Sequence, residues 1–159
     1  MKNLYKYFAV LVLVGLTLAG YKAWAQQGDI AVIVNSANPV DSITTADLRK
    51  LFSGDKASWG GGLQATPFVR IAPARERDVL LKLVLKMTDA QYQEYWVKKV
   101  YSGAAAHEPL SLMSTGMQMD AVRSQKGGIA LVNASEVKDG VKVIKVDGLM
   151  PGAAGYPLK

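Results

Sequence analysis

The chain has 159 residues, a formal net charge of +6, one histidine and no cysteine. Its length suits one domain with one core and is too short for two full lobes. Without cysteine there is no disulfide and no thiolate metal ligand, and a single histidine leaves a zinc site short of its usual donors.

The N-terminus reads as a secretory signal peptide over residues 1–25. Lys2 and Lys6 form a basic n-region, Phe8 to Ala19 is an apolar run interrupted by Gly15 and Thr17, and Ala23-Trp24-Ala25 is an A-x-A cleavage site. The run falls short of the roughly 20 residues of a membrane span. Cleavage would remove Lys2, Lys6 and Lys22 and no acid, so the 19 basic side chains become 16 against 13 acidic ones, a net charge of +3. No Lys/Arg block remains, and nucleic-acid binding loses its main support. With no cysteine to carry a bacterial lipid anchor, the expected product is periplasmic or secreted, with no stable membrane anchor and no cofactor. The expected layout is a signal peptide at 1–25, a domain at 26–148 and a flexible tail at 149–159.

In chain order, Asp29 to Asn35 is a continuous apolar run of the kind found in central strands buried on both faces, often parallel. Thr44 opens a helix over Thr45 to Phe52, with Asp47 completing a variant capping box and Ile43 and Leu48 a hydrophobic staple. Trp59, before Gly60-Gly61-Gly62, is expected to cover the core edge while the glycines turn the chain. Pro67 to Ala72 reads as a strand, with Phe68 and Arg70 on one face and Val69 and Ile71 on the other. A helix follows from Arg75, apolar at Val79, Leu80, Leu83, Val84 and Met87. Thr88 and Gln91 form a capping box for a helix over Asp89 to Tyr101. Its stripe of Tyr92, Tyr95, Trp96 and Lys99 suits core packing better than a ligand platform.

Pro109 to Met113 is a candidate short strand, and Ser114-Thr115-Gly116 precedes a helix over Met117 to Gln125. Lys126-Gly127-Gly128 ends that helix with a C′ glycine. Gly128 to Val132 is a second continuous apolar strand, Asn133 to Asp139 a short turn or helix, and Val141 to Val146 an edge strand. Gly148 to Lys159 reads as a loose tail. The alternation predicts one three-layer α/β domain with a mostly parallel sheet and helices on both faces.

Where the strand meets the helix at Arg75, the chemistry suits an anion, because free N–H groups at a helix start point toward a ligand. Arg70 and Arg75 are candidate ligands there, and surface arginines are the plainer reading. Ser114, Thr115 and Gly116 fit both ordinary capping and an oxyanion site. No nucleophile–base pair or distinctive carboxylate pair is visible, and His107 stands alone on a small-residue loop, so an enzyme is not expected.

Three segments resemble a known family. Ile43 to Gly54 (ITTADLRKLFSG), followed by Trp59-Gly60, is similar to a segment of the phosphate-binding proteins of ABC transporters. Met87 to Trp96 (MTDAQYQEYW), with Val100 to Gly103, resembles the corresponding stretch of their short single-domain relatives, and Gly127 to Val132 (GGIALV) resembles their glycine-led strand. The resemblance spans about Ile30 to Gly148 and implies one lobe of a type II periplasmic binding protein. It further implies a ligand such as phosphate or another small oxyanion held by Arg70, Arg75, Ser114, Thr115 and Gly116, and an envelope partner such as an ABC permease. The sequence departs from the family where a Ser-Gly-Thr turn is expected: Ala74-Arg75-Glu76 or Arg75-Glu76-Arg77 stands there, and a glutamate repels a doubly charged anion. A ligand-free protein-interaction module on the same fold is the alternative.

Overall fold

The computed structural model describes residues 28–159, so the signal-peptide reading lies outside the described residues. The strands are β1 (Ile30–Asn35), β2 (Ser42–Ile43), β3 (Thr66–Arg70), β4 (Leu110–Leu112), β5 (Gly128–Asn133) and β6 (Val141–Val146). The helices are α1 (Thr45–Phe52), α2 (Arg75–Val79, running on as a π-helical turn over Leu80–Leu85), α3 (Asp89–Tyr101) and α4 (Thr115–Ser124). All six strands join one sheet in the order β2-β6-β1-β5-β3-β4. The β3–β4, β3–β5 and β2–β6 pairings are parallel, which makes the sheet mostly parallel.

The alternation of side chains along β1 and β5 builds both cores. Ile30, Val32, Val34, Ile129 and Leu131 enter a large apolar cluster with α1, α2 and α3. Ala31, Ile33, Ala130 and Val132 face the other way, onto Met119 and Val122 of α4. These strands have helices on both sides, which is why neither shows a polar alternation. Local signals fix the helix starts. Thr44 Oγ1 accepts from Asp47 N–H at 3.0 Å, and Thr88 and Gln91 form the full reciprocal capping box. Tyr92 and Trp96 are buried as core, and the Trp59 indole donates to the Gly127 carbonyl at 2.9 Å.

Several expectations change. β1 is central but antiparallel to both neighbours, because burial on two faces sets position in a sheet and not direction. β6 is not an edge strand: it lies between β1 and the two-residue β2, with Ile144 and Val146 in the large cluster and Val141 and Val143 against the other. α4 begins at Thr115, two residues early, since Ser114 is its extended N-cap. The segment 149–159 is anchored near its end. Tyr156 and Leu158 are buried, Leu158 accepts from Ile30 N–H at 2.8 Å, and the Tyr156 hydroxyl donates to the Ile30 carbonyl at 2.8 Å.

The glycines after α4 also serve a purpose other than a left-handed cap. A Cβ on Gly127 would lie 1.7 Å from the Gln64 carbonyl oxygen, so the position demands close backbone approach. The C-terminal carbonyls of α4 are instead met by Asn35, whose Nδ2 donates to Val122 and Arg123 at 2.9 and 2.8 Å.

Candidate functional site

β3 and β4 run parallel with Arg70 opposite Leu112, so both strands end on the same side of the sheet. The chain leaves them for the first turns of α2 and α4, and these meet at one corner. There the Glu76 carboxylate accepts from Arg70 Nε at 3.3 Å and from Thr115 Oγ1 at 3.3 Å. The Glu76 side chain is 7% exposed and that of Arg70 16%, so these are not solvated surface charges.

Arg70 is held in place from behind. Its Nη1 donates to the Leu112 carbonyl at 3.1 Å, and its own carbonyl accepts from Arg77 Nη1 at 2.9 Å. Arg77 pairs with Asp89 at 2.7 Å and lies 5.1 Å over the Tyr92 ring, tying the end of β3 to the start of α3. Burial pushes the Tyr92 hydroxyl up to about 12, against the opposing pull of Arg77, so the ring under that guanidinium stays neutral.

In α4, Ser114 Oγ accepts from Met117 N–H at 3.1 Å, and intrahelical bonding begins with Gln118 N–H to the Ser114 carbonyl. The amides of Thr115 and Gly116 precede that first bond and are left to the corner. Gly116 is exposed and Thr115 half-buried. One turn on, Gln118 is 1% exposed, its Oε1 buried without a hydrogen-bond partner.

Of the five residues named from the sequence, the structure joins Arg70 and Thr115 through Glu76 and places Ser114 and Gly116 beside Thr115. The Arg75 guanidinium reaches the Gly28 carbonyl. Sequence reasoning treated Glu76 only as a repulsive charge and missed Arg77 as the clamp behind Arg70. A signal was present: Arg77 stands three, four and seven residues before Leu80, Leu81 and Val84, which puts it on the buried face of its helix. A separate concavity of about 900 Å³, bordered by Leu51, Phe68, Trp96 and His107, contains none of the five.

No family model matches the chain, and no curated protein matches its sequence. Solved structures do. A candidate phosphate ABC transporter substrate-binding protein from Clostridium perfringens, with bound phosphate, superposes with a TM-score of 0.63 at 20% identity, over 77% of this chain and 46% of that one. An ABC-type phosphate transport receptor from Vibrio cholerae gives 0.62 at 20% identity, over 78% and 48%, and PstS from Borrelia burgdorferi 0.61 at 15%, over 82% and 54%.

The fold is that of a substrate-binding-protein lobe. The chain spans about half the length of the structures it matches. The superposition thus gives the fold that the motif resemblance implies. Among the described residues no helix is long and apolar enough to cross a membrane.

Proposed function

We propose that the protein is an exported solute-binding-like protein that takes phosphate or another small oxyanion at the corner of Arg70, Arg75, Ser114, Thr115 and Gly116, for transport or sensing beside an envelope partner such as an ABC permease. One observation carries the reading. The corner already coordinates an oxyanion, the carboxylate of Glu76, through a guanidinium and a hydroxyl. Arg70 supplies charge, Thr115 a hydroxyl donor, and the first turn of the ten-residue α4 two further amides and the positive end of its dipole. The likeness to phosphate-transport binding proteins, one of them holding phosphate, supports the choice of ligand.

A second reading is a ligand-free interaction module. It is favoured by the same carboxylate, which fills the corner, and by exposed apolar side chains beside it: Ile71 is 39% exposed, Met113 67% and Met117 42%. Titration calorimetry at low salt with phosphate and sulfate separates the two. The first reading expects saturable binding that Arg70→Ala removes. A folded protein giving no heat with either anion would leave the second.

A further inference from the structure

The position and grip of Glu76 say more about the corner than its repulsive charge. Its carboxylate is buried, yet both of its contacts are 3.3 Å long. Charge-assisted bonds between guanidinium and carboxylate close to about 2.7–2.9 Å when well formed. The neighbouring Arg77–Asp89 pair, at 2.7 Å, reaches that range although Asp89 is 44% exposed. Glu76 is therefore seated among donors that it does not grip tightly. It sits in the first turn of α2, where the N-cap residue Ala74 makes no side-chain cap and the preceding Ile71, Ala72 and Pro73 are exposed. A glutamate side chain turns about three rotatable bonds, and one released beside this exposed segment regains rotamer freedom.

We propose that Glu76 is a built-in competitor for the corner: its carboxylate occupies the oxyanion position on Arg70 and Thr115 and must swing away before an external oxyanion binds. The inference rests on the oxyanion-binding reading above and adds its regulation. An incoming anion exchanges one pair of hydrogen bonds for another and gains only the difference, so affinity in the native protein is held below what the donors alone would give. The displaced carboxylate stays nearby, and its repulsion weighs more on a doubly charged anion than on a singly charged one. Glu76 thus sets both threshold and selectivity. A purely structural role, as a buried counter-ion for Arg70, would behave in the opposite way, because its removal would leave the guanidinium misplaced and the corner weaker.

The test is calorimetric titration of the wild type, Glu76→Gln and Glu76→Ala with phosphate and with sulfate, each protein checked for folding by circular dichroism. Both variants are expected to bind on the order of tenfold tighter or more than the wild type, with thermal stabilisation by phosphate rising in parallel. Variants that bind no more tightly than the wild type overturn the competitor role and leave the oxyanion reading intact. Folded wild type and folded variants that all fail to bind either anion overturn the oxyanion reading itself, and the competitor role with it.

Discussion

Leu158→Ala is expected to destabilise the protein by about 3 kcal/mol, within the roughly 2–5 kcal/mol of a buried leucine cut to alanine. Leu158 is fully buried in the cluster that contains Ile30, Leu131 and Ile144, so the lost methyl groups leave a hole lined by strands held in register on both sides. Such a lining collapses poorly, which keeps the cost away from the low end of the range. For a domain of this size the loss corresponds to a fall of about 10 °C in Tm. Urea unfolding followed by tryptophan fluorescence measures it directly, because Trp59 and Trp96 belong to the same cluster. Lys159→Ala, at an exposed neighbour, serves as the control. A Leu158→Ala effect below about 0.5 kcal/mol, the range of ordinary surface substitutions, would refute the packed C-terminus and restore the loose-tail reading.

The Tyr156 hydroxyl is pushed above its ordinary value near 10, first by burial and then by the charge of Asp29. Above pH 10 the unfolded chain releases that proton while the folded one keeps it, so stability falls as pH rises, and Tyr156→Phe should flatten the decline in alkaline urea titrations. Gly127→Ala should fold poorly or not at all, since its Cβ meets backbone, whereas Gly60→Ala, with nothing within 4 Å, should express and melt like the wild type. Arg77→Ala should cost about 2 kcal/mol in chemical denaturation, less than a fully buried pair because Asp89 is partly exposed. It should also weaken any oxyanion affinity through the loosened end of β3. A stability change with unaltered binding would show that Arg77 does not position Arg70.

The helix starts at Thr44 and Thr88 were legible because capping is local, each accepting from an amide three residues on; with Ser114, Thr115 and Gly116 all able to cap, the start of α4 was placed two residues late. The two-face burial of β1 and β5 was legible from unbroken apolar runs. Direction was not, because Ile30 to Asn35 carries the same residues whichever way its neighbours run. Register and neighbours also escaped for Val141 to Val146, whose lysines suggested an edge. Lys142 instead extends to Asp41 and the Asn38 carbonyl, both at 2.7 Å, so its charge is met while the strand stays interior. The C-terminus misled by composition: its glycines and prolines read as loose, and the two residues that anchor it, Tyr156 and Leu158, are separated by another proline. At the corner, Arg70 and Thr115 were named from the sequence. Their meeting through Glu76 was not, because it joins residues 39 positions apart and depends on the parallel register of β3 and β4.

The most direct test of the oxyanion corner is a phosphate titration followed by nuclear magnetic resonance on ¹⁵N-labelled protein at low salt. The account predicts saturable shifts concentrated at the Thr115 and Gly116 amides and Arg70 Nε, absent in Arg70→Ala. Saturable shifts that centre elsewhere and leave those three signals in place would contradict it.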